Sequence, residues 1–420
     1  MPDGLGTTTP HAAASPRAAA IPRRAGAAGP AVLRLGLVGC GAFARFSMAQ
    51  YRQLPGVSVT AVADIDAAAA ARAAGEFQVP ALPADAVLTA ADVDIVYIAT
   101  PPARHHDQAR TALLAGKHVL VEKPLATTLR DAENLRDLAS REQRVCVANL
   151  VERYNPLADA TKRVIESGRL GRLVHAVFLN EAADEGLRPE HWFWNRGVSG
   201  GIFIEHGVHF FDLAAFWLGP GRVVSAVRSL RPTEVVPGAA AKPVEEQVLC
   251  TCRYASVRND RGAERAGTHE GVLFHFEHGF HQPSRLDRQE LRLVFERGEL
   301  QLFDWVPTHG TVRALLDEAG IEELKAILPP SSLRIAERYE GDGRRGRGRF
   351  RPFEADALVE IGFSTGMTKL EIYGQVVRDL AADQIAWIRD PAHVRRLTEA
   401  DSVQSVAMAC DADRLALEAS

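Results

Sequence analysis

Between Leu33 and Leu150 the apolar positions gather into five short runs: LRLGLVG, VSVTAVAD, DIVYIAT, KHVLVEKP and RVCVANL. Each is rich in Val, Ile and Leu with little polar alternation, as expected of parallel strands buried on both faces. The stretches between them, among them FARFSMAQYRQL, AAAAARAAGEF and DQARTALLAG, place apolar residues at helical spacing. This alternation predicts a doubly wound α/β domain over residues 31–150.

After Pro156 the pattern changes. PLADATKRVIESG predicts a helix and RLVHAVFLN a strand, and a second helix is expected through SGGIFIEHGVHFFD to a stop near Leu218-Gly219-Pro220. The runs RVVSAVRSL, EEQVLCTCRYA, GVLFHFE, ELRLVFERG and ELQLFDW alternate apolar and polar positions between turn-rich spacers. They predict a large, mostly antiparallel open sheet with one solvated or helix-covered face. Residues 311–327 and about 366–418 read as helical. The expected fold class is α/β: an N-terminal parallel sheet, then an α+β domain over 151–420 whose last helices are free to pack back on the first domain. Residues 1–30, rich in Ala, Pro, Gly and Thr, read as a disordered tail. Pro30 and Arg34 interrupt the apolar run after Arg23-Arg24, so a tail is favoured over a twin-arginine export signal.

Composition excludes some classes of partner. The 420-residue chain carries a formal charge of −4, so no strong field points to nucleic acid or a membrane surface. No apolar run reaches the length of a membrane span. The segment GDGRRGRGRFR, residues 341–351, reads as a solvated loop rather than an RNA-binding tract. Five scattered cysteines without C-x-x-C spacing suggest reduced thiols and a cytoplasmic protein.

Three motifs carry candidate chemistry. In GLVGCGAFA, residues 36–44, Gly39, Gly41 and Ala44 form a G-x-G-x-x-A pattern between a strand and a helix. The first glycine allows a tight turn, the second admits a pyrophosphate, and Ala44 lets helix and strand pack closely. Ala42 and Phe43 open the helix, whose N-terminus attracts negative charge. Asp64 ends the second strand twenty-three residues after Gly41, where a carboxylate accepts hydrogen bonds from the ribose hydroxyls of NAD and repels the extra phosphate of NADP. No arginine follows directly, so NAD is preferred; the plainer alternative is a helix N-cap.

Lys123, in VEKPLA, ends a buried strand, where open α/β sheets bind ligands. There it can hold a substrate oxygen and favour alkoxide character; the plainer alternative is a surface lysine in a turn. In SGGIFIEHGVHFFD, a helix puts Glu205, His209 and Asp212 on a stripe about 60° wide, with His206 at its margin. Acid, base and acid on a mostly apolar helix call for a polar cavity. The Gly200-Gly201 pair allows close approach by a ligand or another backbone. A metal bound by Glu205, His206 and His209 is not expected, because no further ligand is evident.

GCGAFA, ATPPARH followed by AGKHVLVEKPLA, and GGIFIEHGVHFFD resemble, in this order, the motifs of the Gfo/Idh/MocA family of NAD(P)-dependent oxidoreductases. The resemblance covers nearly all of residues 33–415. It implies a Rossmann-type first domain that binds NAD through Gly39, Gly41, Ala42, Phe43, Ala44, Asp64, Thr100, Pro101, His105, Glu122 and Lys123. It also implies hydride transfer to or from a secondary alcohol carbon of a sugar or cyclitol. The catalytic pair of the family falls on Lys123 and His209, and Glu205 replaces the family's usual aspartate. His209 is then the base, Lys123 holds the reacting oxygen, and Glu205 orients His209 or grips a neighbouring hydroxyl. NLVERYNP, residues 149–156, resembles a pocket-lining segment, which brings in Arg153 and Tyr154 beside His206 and Asp212. Trp192, Trp194 and Arg196 lie just upstream, either as stacking and hydrogen-bonding groups or as a packed loop. The resemblance further implies a cis Lys123–Pro124 bond and a dimer or tetramer paired through the second sheet. Two rivals remain: a redox-neutral enzyme that oxidises its substrate transiently, and a non-catalytic NAD-binding regulator, against which both Lys123 and His209 argue.

Overall fold

The computed structural model describes residues 32–188, 190–232, 243–255, 271–347 and 352–419. The 1–30 tail and residues 348–351 of the arginine-rich segment lie outside the described residues. The five apolar runs near the start become β1 (Leu33–Val38), β2 (Val57–Ala63), β3 (Ile95–Ile98), β4 (His118–Val121) and β5 (Cys146–Ala148). They pair in parallel in the order β2-β1-β3-β4-β5. Every residue of β3, β4 and β5 is buried, which explains why these runs show no polar alternation. The connecting helices are α1 (Ala42–Tyr51), α2 (Ala67–Phe77), α3 (Ala84–Thr89), α4 (His105–Leu114) and α5 (Leu129–Glu142).

Asn155 caps α6 (Pro156–Ser167), with Pro156 at its first position, and Gly168 ends it in the left-handed region. A short α7 (Arg196–Ser199), a π-helical turn over Phe203–Gly207 and α8 (Val208–Leu218) replace the single helix expected there. The second sheet draws on β6 (Leu173–Ala183), β7 (Gly221–Pro232), β8 (Pro243–Tyr254), β9 (Val272–Gln282), β10 (Arg288–Phe295), β11 (Gly298–Phe303), β12 (His309–Leu316) and β13 (Ser331–Arg338). β14 (Arg345–Arg347) and β15 (Pro352–Glu354) form a two-stranded ribbon, and β16 (Ala357–Ser364) completes the large sheet. Its order is β13-β16-β12-β11-β10-β6-β9-β8-β7, antiparallel throughout except for β6 beside β9.

A further expectation fails here. Residues 311–316 are strand, not helix: Gly310, Val312, Ala314 and Leu316 are buried while Thr311 and Arg313 are exposed, a period of two set by pairing with β11 and β16. The helix begins only after Asp317, which caps α9 (Glu318–Ile327). The C-terminal segment forms α10 (Lys369–Arg389) and α11 (Glu399–Glu418), each opened by a reciprocal capping box. α10 packs on α1, and α11 touches α5 and β5 of the first sheet as well as β7 and α8 of the second. Buried side chains from both sheets form one continuous core.

Candidate active site

The site begins where β1 hands over to α1. Gly39 has φ +93, and a Cβ there would lie 2.5 Å from the Ala99 carbonyl oxygen. At Gly41 a Cβ would meet nothing within 4 Å, because that edge of the turn faces open space. A cavity of about 1170 Å³ opens there, and Gly39, Gly41, Ala42, Phe43, Ala44, Asp64, Thr100 and Pro101 line one end of it. The Asp64 carboxylate accepts hydrogen bonds from the Cys40 amide at 2.6 Å and the Asp66 amide at 2.8 Å, which fixes its aim. Asp66, not Asp64, caps α2. A bare glycine edge, a helix N-terminus and an oriented carboxylate fit a dinucleotide.

His105 stands apart from the other residues expected at this end. It is fully buried and off the cavity wall. Its Nδ1 lies 2.7 Å from the Pro124 carbonyl oxygen and its Nε2 2.7 Å from that of Thr100. It therefore ties the Thr100 loop to the turn after Lys123.

The other end of the cavity is built by β4 and the π-helical turn. Glu122 and Lys123 follow the last residue of β4, and the Lys123–Pro124 bond is cis. The Lys123 ammonium donates to the Glu205 carbonyl oxygen at 3.0 Å and to the Glu205 carboxylate. Glu122 accepts from the Tyr97 hydroxyl and from Asn149 Nδ2, the latter at 2.7 Å, and burial pushes its carboxyl upward. His209 lies on the same wall, and among the described residues neither of its ring nitrogens has a hydrogen-bond partner. Burial, with the Lys123 ammonium and His278 adding to it, holds the His209 imidazole well below its ordinary value. The ring is therefore neutral at neutral pH and has a lone pair to offer.

The expected stripe divides. The π-helical turn advances less per residue than an α-helix, so Glu205 and His209 share the cavity while Asp212 turns away. Asp212 receives both Nε (2.8 Å) and Nη2 of Arg153, deep in the core. Tyr154 donates to Asp383 at 2.6 Å. His206 faces His278, Nδ1 to Nδ1 at 3.1 Å, so Glu205, His206 and His209 do not converge on one point. Arg196 pairs with Glu245 and Asp413, and the Trp194 indole donates to the Leu187 carbonyl oxygen. Arg153, Tyr154, Asp212, His206, Trp194 and Arg196 thus lie off the cavity wall, and only Trp192 of the upstream group reaches it. Gly200 and Gly201 make room for side chains rather than a ligand: a Cβ would meet Ile204 at the first and Arg196 and Glu245 at the second.

Sequence reasoning missed four of the wall residues that matter most: His191, Trp305, Tyr373 and Asn149. Trp305 comes from the turn after β11 and Tyr373 from α10, far along the chain from any motif. Asn149 opens NLVERYNP, and its position there was the one usable signal.

A parallel sheet with a glycine turn, joined to an open antiparallel sheet over a cavity holding lysine, carboxylate and histidine, defines a class of dinucleotide-dependent oxidoreductases. The chain belongs to the Gfo/Idh/MocA family: residues 33–150 match its NAD-binding Rossmann-fold domain and residues 159–301 match its C-terminal domain. It is 33% identical over 252 residues to a dTDP-3,4-didehydro-2,6-dideoxy-α-D-glucose 3-reductase of Streptomyces antibioticus, covering 58% of this chain and 73% of that one. A glycosyl hydrolase family 109 protein of Streptomyces filamentosus is 26% identical over 309 residues, covering 68% of this chain and 62% of that one. Across several other curated relatives the chain spans about half to three fifths of their length. A levoglucosan dehydrogenase solved in complex with NADH shares the fold, with a TM-score of 0.70 at 19% identity over 92% of this chain and 98% of that one.

Proposed function

We propose that the protein transfers a hydride between NAD and a secondary alcohol or ketone of a sugar or cyclitol. One observation carries this reading: Lys123, Glu205 and the unpartnered His209 share a cavity with the Gly39–Gly41 turn and Asp64. Residues 31–150 hold the cofactor, and residues 151–420 supply the opposite wall. Gly39, Gly41, the α1 N-terminus and Asp64 bind the dinucleotide, with the Asp64 carboxylate selecting NAD over NADP. When bound, NAD accepts or returns the hydride. The protein's own residues handle the proton and the oxygen.

In oxidation a ring nitrogen of His209 takes the proton of the substrate hydroxyl. The Lys123 ammonium hydrogen-bonds the same oxygen and stabilises the charge that develops on it. Glu205 holds that ammonium in place, so its role is to aim Lys123 rather than to orient His209. Trp192 offers a flat apolar face against which a sugar ring stacks. On this reading the protein is cytoplasmic and forms a dimer or tetramer through the second sheet.

The likeness to a glycosyl hydrolase family 109 protein supports a second reading, in which the substrate is oxidised, cleaved and reduced again with no net turnover of cofactor. One experiment separates the two. The protein is incubated with NAD and a panel of sugars and cyclitols, and the absorbance of NADH is followed. Net NADH formation supports the dehydrogenase; a flat panel with tightly retained NAD supports the redox-neutral enzyme. Lys123→Met lowers kcat by roughly 10²–10³-fold with a much smaller change in NAD affinity. Undiminished activity in that variant rejects the catalytic assignment.

A further inference from the structure

A catalytic histidine is ordinarily oriented by a hydrogen bond to the ring nitrogen that does not react. Among the described residues His209 has no such bond: both nitrogens are buried and unpartnered. Asp212, one turn along, is committed to Arg153, and Glu205 is committed to Lys123. The second torsion of a histidine side chain is broad and roughly two-fold, so without a hydrogen bond the ring plane is set only by what packs against it.

The nearest ring to His209 is Trp305, with centroids 4.9 Å apart and planes at 85°; Phe210 and His206 are each 6.4 Å away. The other contacts of Trp305 hold it where it stands. It stacks on His206 at 4.8 Å and 28°, and meets Phe210 at 5.2 Å and 62°. Its backbone is aimed by Asp304, which adopts φ 78, a conformation that side-chain-bearing residues rarely take. Asp304 is itself fastened: its amide donates to the Gln289 carbonyl oxygen at 3.1 Å and its carboxylate accepts from Thr308 Oγ1 at 3.0 Å. Trp305 thus reaches the cavity wall from a fixed turn and lies at right angles to the base.

We propose that Trp305 is a positioning residue, and that its indole, in place of a carboxylate, sets the ring plane of His209 toward the substrate oxygen. The inference rests on the hydride-transfer reading above. A perpendicular aromatic pair needs only a flat ring at that spot, so phenylalanine serves and leucine does not. Trp305→Leu therefore lowers kcat by roughly tenfold to a hundredfold, the size expected of a slightly misplaced base, with KM changing much less. Trp305→Phe restores most of kcat.

A second readout needs no substrate. In protein labelled with 15N-histidine, the His209 ring resonances are assigned by their disappearance in His209→Gln. Wild type and Trp305→Phe show one sharp set of His209 ring signals, and Trp305→Leu shows signals shifted and broadened by motion of the freed ring. If the His209 signals and kcat are the same in Trp305→Leu as in wild type, Trp305 does not position the base and the inference is overturned. If His209→Gln is as active as wild type, the hydride-transfer assignment itself fails, whatever the ring signals say.

Discussion

Glu152 is a buried acid that no hydrogen bond compensates among the described residues. It sits in the turn Val151–Tyr154, 1% exposed, and among the described residues neither carboxylate oxygen has a hydrogen-bond partner. Burial pushes its carboxyl up to about 8, and Lys369 opposes this only in part. The folded group thus holds its proton across a range, from about 4.5 to about 8, in which the unfolded group has lost it. Folding takes up a proton there, so stability is fullest below that range and declines as pH rises through it, by up to about 1.4 kcal/mol per pH unit. Glu152→Gln keeps the shape without the ionisation. Urea midpoints at pH 5.5 and 7.5 should therefore differ less in Glu152→Gln than in wild type, and an equal drop in both would show that Glu152 is ionised when folded. The sequence singled out Gly39, Gly41, Asp64, Lys123, Glu205 and His209, which line one cavity, because each stands in a short motif whose backbone context is local. It did not reveal Trp305 or Tyr373, whose places on the wall depend on how distant strands and helices meet, nor that Arg153 and Asp212 would satisfy each other in the core rather than face a substrate.

Between α7 and α8 the chain does something that helical periodicity cannot express. Gly200 and Gly201 both take positive φ, at +88 and +102, and the chain then enters the π-helical turn. Glu245 locks the corner: its carboxylate accepts from the Ile202 amide at 3.0 Å and pairs with Arg196, and a Cβ on Gly201 would sit 2.9 Å from one of its oxygens. Gly201→Ala therefore strains the backbone and displaces the Arg196–Glu245 pair together. It should cost about 1–3 kcal/mol in chemical denaturation, and it should weaken catalysis in excess of NAD binding, because Glu205, which holds the Lys123 ammonium, hangs from that turn. A variant with wild-type stability would mean that the corner relaxes freely. The misread strand β12 teaches the same lesson from the other side. Val312, Leu315, Leu316 and Ile321 recur at near-helical intervals, yet two flanking strands impose a period of two, and only the cap at Asp317 marked the true boundary. Pairing partners from elsewhere in the chain outweighed local pattern.

At the scale of the molecule, the last fifty residues decide whether two sheets behave as one body. β5 is the edge of the parallel sheet, and edges leave amides unpaired. Here α11 covers the edge with side chains: the Cys146 amide donates to Glu399 at 3.0 Å and the Ala148 amide to Ser402 Oγ at 3.2 Å. The same helix packs on β7 and α8 of the other sheet, while Arg389 of α10 reaches the Pro55 and Gly56 carbonyl oxygens beside β2. The helical pattern of this segment was plain in the sequence, but no residue in it announces a sheet edge some 250 positions earlier. Ser402 is fully buried, so Ser402→Ala strands the Ala148 amide without solvent and should cost about 1–3 kcal/mol. Because α11 touches both sheets, the loss should appear in both at once. All five tryptophans lie after residue 190, so their fluorescence reports the second sheet and the C-terminal helices, whereas NAD binding reports the glycine turn of the first. In Ser402→Ala the two signals should fall together at a lower temperature. A variant in which NAD binding is lost first, with tryptophan emission melting at the wild-type temperature, would show that the edge strand unfolds on its own and that α11 caps it without coupling the sheets.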